Sequence, residues 1–149
     1  MKSKRFEPIQ EIACNSATDL SRAMSEAGRR VGELERQLGQ LTSYRDDYVR
    51  NSLQASGTID AVRLQNYRSF LDRLGDALRQ HLLNLEAARA EYEARRALWS
   101  QKRIEAESLS RLIDRFRREE LQVAEQREQR EGDEAAMRQP LGDRAGSQR

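Results

Sequence analysis

The sequence predicts an all-α fold, in which two antiparallel helices form a coiled-coil hairpin and the C-terminal helix is the longer. The first observation is that apolar residues recur at alternating steps of three and four along two long segments, the repeat of a helix that packs against another helix. The second is a composition of 37% hydrophobic and 35% charged residues with a mean hydropathy of -0.94, which suits extended helices better than a globular core. The third is that the two prolines, Pro8 and Pro140, lie near the ends of the chain.

The first helix is expected over residues 8–53, after a short basic leader at residues 1–7. Pro8 suits the first position of a helix, where a backbone N–H would have no partner in any case. The steps of three and four continue for about five heptads, which is long enough to support a coiled coil. The apolar seam of this helix consists of Ala13, Ala17, Leu20, Met24, Ala27, Val31, Leu34, Leu38, Leu41 and Tyr48, with Arg45 as a polar member.

A turn is expected at residues 54–59. Gly57 supplies a permissive backbone, Thr58 can cap the next helix, and Asp60 in its first turn would face the positive end of the helix dipole. So short a connection makes the two helices antiparallel neighbours. With the turn centred there, Leu41 is expected to face residues 68–71.

The second helix is expected over residues 60–131. Helix one would end where helix two reaches Ile104, so that the remainder of helix two overhangs without an intramolecular partner. Gly132 is expected to break the pattern and to begin a mostly disordered tail at residues 132–149. The seam of this helix consists of Leu64, Tyr67, Leu71, Leu74, Leu78, Leu85, Ala88, Tyr92, Trp99, Ala106, Leu109, Ile113 and Phe116, interrupted by His81, Arg95 and Lys102.

The residues that usually carry catalysis are scarce. With one histidine, one cysteine and no glycine-rich phosphate loop, the sequence predicts no enzyme, no metal site, no cofactor and no small-molecule ligand. The 27 basic and 25 acidic residues leave a net charge of +2, without the concentrated basic face that nucleic acid requires. A lone cysteine, Cys14, suits a reducing compartment, and no apolar run resembles a signal peptide or a membrane span. A cytoplasmic protein is therefore expected, whose contact with a membrane would be peripheral.

A second apolar stripe runs beside the seam in the middle of helix two and consists of Phe70, Leu74, Ala77 and His81. The apolar face here is wider than a two-helix seam requires. Two interpretations stay open on these residues alone. The stripe either widens the core, with His81 hydrogen-bonded or partly wet, or it is a surface for a partner.

The same segment contains a more specific pattern, which consists of Asn66, Tyr67, Phe70, Leu71, Leu74, Ala77, Leu78, Gln80 and His81. It is accompanied by Leu41, Tyr44, Tyr48, Trp99, Lys102 and residues 133–138. This pattern resembles the signature of the FliJ family, the small coiled-coil component of the bacterial flagellar type III export ATPase. The resemblance covers about residues 6–140.

The resemblance implies a hairpin similar to the central stalk of rotary ATPases, which would enter the pore of the hexameric flagellar export ATPase. It also implies contact with the export-gate membrane protein FlhA and with export chaperones, and a location at the cytoplasmic face of the inner membrane at the flagellar base. The family's gate-binding residues correspond to Phe70, Leu74, Ala77 and His81. By analogy with the stalk, the open end would contact the ATPase ring through Phe6, Ile9, Ile12, Leu109, Ile113 and Phe116.

Other functions are compatible with the same pattern. One is a structural coiled-coil homodimer or adaptor, in which the overhangs of two hairpins join into a bundle. Another is the related stalk protein of virulence-type secretion systems, which is a less close match. A third is chaperone activity alone, without any effect on an ATPase.

Overall fold

The computed structural model describes residues 1–54 and 60–138, and it contains two long helices. Helix α1 is Lys2–Gln54, with 53 residues, and helix α2 is Ala61–Met137, with 77 residues. No strand occurs in the described ranges. The prediction of an all-α fold built from two helices, of which the second is longer, is confirmed.

The chain divides into two compact units, and each contains a segment of both helices. The central unit comprises residues 16–102, and the terminal unit comprises residues 1–15 together with the chain from residue 103 onwards.

The core of the central unit is a contact between Leu34 of α1 and the pair Leu85 and Ala88 of α2. Leu34 and Leu85 are each 3% exposed, and Val31 and Leu38 pack against the cluster from α1. These residues lie at the spacing of three and four that the seam requires. Burial of leucines at this spacing is what holds the two helices of the unit together.

The helices of the central unit run antiparallel. Tyr48, near the end of α1, stacks on Tyr67, near the start of α2, with ring centroids 5.5 Å apart. At the other end of the unit, Arg95 Nη1 donates to the carbonyl oxygen of Ala23 over 3.5 Å. Early α1 therefore meets late α2, as a short connection demands.

One glycine of the central unit marks a close approach of the helices. A Cβ atom at Gly28 would lie 3.3 Å from Cε2 of Tyr92, which is tighter than an ordinary van der Waals contact. Gly28 thus makes room for the tyrosine ring, whereas added Cβ atoms at Gly32 and Gly39 would meet nothing within 4 Å.

The terminal unit has its own seam. Ile113 is 1% exposed, and Ala13 and Ala106 are also buried. The rings of Phe6 and Phe116 lie with their centroids 5.5 Å apart. The overhang predicted from Ile104 onwards is therefore wrong for Leu109, Ile113 and Phe116, which lie half-buried or buried where α2 packs on the start of α1.

Two features lengthen the pairing beyond the expectation. Residues 2–7 are helical, so α1 begins at Lys2 and Pro8 lies inside it. In the central unit, Phe70 contacts Tyr44 and Tyr48, which follow Leu41 in α1, and Leu41 lines a groove with His81. The alignment is therefore displaced from the expectation that Leu41 faces residues 68–71. In the terminal unit, Ser3 in the first turn of α1 reaches Glu120 of α2.

The helix boundaries also differ at the other ends. Gln54 still belongs to α1, and the rest of the expected turn, including Gly57 and Thr58, lies outside the described residues. Asp60 precedes α2 and its carbonyl oxygen accepts from the N–H of Leu64 over 3.0 Å, so it occupies the N-cap position instead of the first turn. Helix α2 continues through Gly132 to Met137, and residues 139–149 of the expected tail lie outside the described ranges.

We expect Leu34→Ala to destabilise the protein by about 2–4 kcal/mol, because it removes buried methyl groups and leaves a cavity against Leu85 and Ala88. The free energy of unfolding is measured by circular dichroism in a urea titration. The matched control is Leu83→Ala, the same change at a side chain that is 60% exposed, for which about 0.5 kcal/mol or less is expected. Equal losses from both variants would contradict the position of the core.

Candidate partner-binding surfaces

Aromatic side chains gather in the central unit where late α1 meets early α2. Phe70 lies 4.4 Å from Tyr48 and 6.3 Å from Tyr44, measured between ring centroids, and Tyr48 also stacks on Tyr67. Tilted and edge-on arrangements at these distances are favourable for aromatic rings. Phe70 is consequently half-buried against α1, and Tyr44 remains 55% exposed.

The four residues of the second stripe do not form one exposed patch. Leu74 is 8% exposed, and His81 Nε2 lies 3.0 Å from the carbonyl oxygen of Leu34. Because a carbonyl oxygen only accepts, this hydrogen bond requires the proton on Nε2. Ala77 is exposed. The stripe therefore widens the helix contact through Phe70, Leu74 and His81, and Ala77 is the member that faces solvent.

A shallow groove borders this contact on the α1 side. It has a volume of about 510 Å³ and is lined by Gln37, Gln40, Leu41, Tyr44 and His81. The apolar pattern does not predict a role for Gln37 and Gln40, because both are exposed polar residues outside the seam.

In the terminal unit, the six residues expected at the ATPase ring separate into two groups. Ile113 is buried and Leu109 is half-buried, whereas Phe6 and Phe116 contact each other. Ile9 and Ile12 are exposed, by 48% and 67% respectively. These two isoleucines are the apolar members of the set that a partner can reach without disturbing the helix contact.

A carboxylate from α2 caps the start of α1. The N–H of Ser3 donates to Glu120 Oε1 over 3.0 Å, and Ser3 Oγ donates to Glu120 Oε2 over 2.6 Å. The first N–H groups of a helix have no partner within the helix, and the positive end of its dipole favours an anion. The hydrogen bonds that Ser3 donates hold the pKa of the Glu120 carboxyl below its ordinary value. The bond from the Ser3 side chain has the largest effect, and the bond from its backbone N–H the next largest.

Other charges and one groove surround this cap. Arg117 Nη2 donates to Glu7 Oε1 over 2.8 Å, and this hydrogen bond raises the pKa of the guanidinium. Lys2 Nζ lies 5.7 Å from the ring centroid of Phe116, within the range of a cation–π contact. Beside them is a groove of about 600 Å³ whose lining includes Phe116, Val123 and Ala124.

Neither a metal centre nor a membrane span is found in the described part of the chain. No group of three or more His, Cys, Asp or Glu residues there could hold a metal ion. No described helix is long and apolar enough to cross a membrane.

These features define an all-α protein in which antiparallel segments of two long helices pack along an apolar seam in each unit. The family described as "Flagellar FliJ protein" matches residues 1–144, so the chain belongs to the FliJ family. It is 28% identical over 140 residues to a flagellar FliJ protein of Salmonella typhi, covering 91% of this chain and 95% of that protein. It is 28% identical over 138 residues to the flagellar FliJ protein of Escherichia coli (strain K12), covering 89% and 93%. No solved structure matches the chain.

Membership of this family supports a role as a component of flagellar protein export. The family is a non-catalytic component of the flagellum. The resemblance found from Asn66 to His81 is thereby confirmed at the level of the family.

We expect Glu120→Gln to speed amide hydrogen exchange at Ser3, because a neutral amide offers one acceptor atom where the carboxylate offers two. The folded-state pKa of Glu120 is depressed, so the cap is present above the ordinary glutamate pKa and is lost as pH falls through the folded value. The difference between parent and variant should therefore exist at neutral pH and vanish in acid.

Exchange at Ser3 is measured by NMR for the parent, for Glu120→Gln and for the control Glu128→Gln, an exposed glutamate further along α2. The cap would be refuted if Glu120→Gln and Glu128→Gln exchanged at the same rate at neutral pH.

Proposed function

We propose that this protein is a non-enzymatic component of the bacterial flagellar export apparatus that couples the export ATPase ring to the membrane export gate protein FlhA and escorts export chaperones. The observation that carries the proposal is the family match over residues 1–144. It is supported by the structure of the two units. In each unit, segments of α1 and α2 run antiparallel and present residues to solvent beside their seam. The site of action is the cytoplasmic face of the inner membrane at the flagellar base.

The gate-binding surface belongs to the central unit and is centred on Ala77 and the accessible edge of Phe70. Ala77 is exposed, and Phe70 is half-buried beside the partly exposed ring of Tyr44. Leu74 and His81 support this surface from below, since Leu74 is buried and His81 is hydrogen-bonded to Leu34. The gate therefore contacts a surface that the helix pairing has already ordered, which reduces the entropy lost on binding.

The ring-binding surface belongs to the terminal unit and uses Ile9 and Ile12. Both are exposed isoleucines on α1, whereas Ile113 and the ring pair of Phe6 and Phe116 hold that part of α1 against α2. When a partner covers an apolar side chain that lies in water, the free energy of the system falls, which favours binding. The buried members of the set thus act on ring binding through the position of α1.

We expect Ile12→Glu to weaken stimulation of the ATPase, because it places a charge in the apolar contact. Steady-state ATP hydrolysis by the cognate export ATPase is measured with and without this protein, together with light scattering. The parent should raise hydrolysis and yield a ring-sized species, and Ile12→Glu should lower the stimulation about tenfold or more.

The control for this experiment is Ile104→Glu, which introduces the same charge at another exposed isoleucine of the terminal unit. Equal activity of the two variants would remove Ile12 from the ring contact. No stimulation by the parent, combined with a dimeric parent, would instead favour a structural homodimer.

We expect Ala77→Arg to weaken binding to the isolated cytoplasmic domain of FlhA by about tenfold or more, since a long charged side chain would prevent close contact at an exposed position. Binding is measured by isothermal titration calorimetry. Ala61→Arg, at an exposed alanine near the start of α2, is the matched control. Unchanged affinity of Ala77→Arg would exclude this surface as the binding site for FlhA.

Phe70→Ala is a less informative variant, because it also removes the packing of Phe70 against Tyr48.

A further inference from the structure

The start of α1 is helical although a proline interrupts its backbone hydrogen bonds. Pro8 lies inside α1, beyond the first turn in which a proline is tolerated. Because proline has no N–H, the carbonyl oxygen of Lys4 lacks the hydrogen bond that residue 8 donates in an uninterrupted helix. The residue before a proline, here Glu7, is also disfavoured in the helical conformation. The helical connection between residues 2–7 and the rest of α1 is therefore weak.

The charges of residues 2–7 oppose a helix as well. Lys2, Lys4 and Arg5 lie near the positive end of the helix dipole, and the first turn of α1 contains no acidic residue. Cations are unfavourable at that end of a helix. Since the local sequence disfavours the helix on two grounds, its formation over residues 2–7 depends on contacts with α2.

These contacts are polar, apart from one pair of aromatic rings. The N–H and the hydroxyl of Ser3 both donate to Glu120 of α2, over 3.0 and 2.6 Å. The carboxylate thereby supplies the negative charge that the first turn of α1 lacks. The other contacts are the rings of Phe6 and Phe116 at 5.5 Å, Lys2 Nζ at 5.7 Å from the Phe116 ring centroid, and Arg117 Nη2 donating to Glu7 over 2.8 Å.

The part of α1 that follows Pro8 is held differently. Ala13 of α1 and both Ala106 and Ile113 of α2 are buried apolar residues of the terminal unit. A segment with few buried apolar contacts opens at a lower free energy than one that belongs to a core. Residues 2–7 can therefore open while the rest of α1 in the terminal unit stays packed.

We propose that residues 2–7 form a latch, which opens as one unit at Pro8 and regulates the ring-binding surface of the terminal unit. In the closed latch, the rings of Phe6 and Phe116 contact each other. In the open latch, both rings are accessible to a partner that also covers the exposed side chain of Ile9. Two aromatic rings enlarge the apolar area that the ring can bury. The latch itself is independent of the proposed function, whereas its effect on ring binding rests on it.

Amide hydrogen exchange of the full chain, measured by NMR, tests the latch. The N–H of Ser3 is bonded to Glu120 only while the latch is closed, and those of Phe6 and Glu7 bond back within the first turns of α1. We call these three the latch amides. They should share one protection factor, at least about tenfold below that of Ala13 beyond the proline. Simple fraying of a helix end would instead give protection that rises steadily from residue to residue.

Two variants shift the latch in opposite directions. Pro8→Ala restores the N–H that the carbonyl of Lys4 lacks, and it should slow exchange of all latch amides about tenfold or more. Glu120→Gln should speed exchange of all latch amides by one common factor, although of the three it removes a hydrogen-bond acceptor only from Ser3. The control is Gly32→Ala, which raises helix propensity elsewhere in α1 where an added Cβ meets nothing within 4 Å, and it should leave the latch amides unchanged.

Binding to the cognate export ATPase, measured by isothermal titration calorimetry, tests the effect on the ring. The apparent Kd rises in proportion as the population of the binding-competent state falls, so Pro8→Ala should raise it by about tenfold or more. Gly32→Ala should bind like the parent. A parent that does not bind the ATPase would refute the proposed function, and hydrogen exchange would still decide whether the latch exists.

Three exchange results would overturn the latch. The first is protection that rises steadily from Ser3 to Ala13 without a step at Pro8. The second is equal exchange of the latch amides in the parent and in Pro8→Ala. The third is faster exchange in Glu120→Gln that is confined to Ser3. If the parent and Pro8→Ala bound the ATPase with equal Kd, the latch would have no role in ring binding.

Discussion

Packing of α1 on α2 along an apolar seam in each unit is the constraint on which the other features depend. Leu34 lies against Leu85 and Ala88 in the central unit, and Ile113 is almost completely buried in the terminal unit. The described chain consists of two helices without a second layer that could compensate for a weak contact, and helices in proteins gain most of their stability from such packing. The aromatic cluster and the cap at Ser3 exist because the seam brings distant parts of the chain together.

Polar residues at seam positions fix which residues face each other. His81 is bonded to the carbonyl oxygen of Leu34, and Arg95 donates to that of Ala23. A shift of one helix by a turn would separate these groups from their acceptors, whereas leucines tolerate several alignments. Polar seam residues set alignment in coiled coils at some cost in stability. The aromatic rings of Tyr48 and Phe70 add a second, shape-dependent preference.

The many charged residues contribute little to this packing. Most ion pairs in the described residues join positions three or four apart on one helix, and pairs such as Arg89 with Glu35 and Arg117 with Glu7 bridge the helices at exposed positions. Exposed pairs of this kind typically contribute between about 0 and 1 kcal/mol. Their role is to keep the long helices soluble in water.

Sequence alone determined the fold class, the seam spacing and the family. Apolar residues at alternating steps of three and four lie on one side of a helix that packs against another helix, and the residues from Asn66 to His81 form a specific pattern. Tertiary structure decided the alignment of the helices, since a periodic seam fits at several shifts. It also decided which apolar residues remain exposed: Phe6 and Phe116 contact each other, whereas Ile12 faces solvent. Local pattern cannot reveal that difference, because burial depends on which residue of the other helix lies opposite.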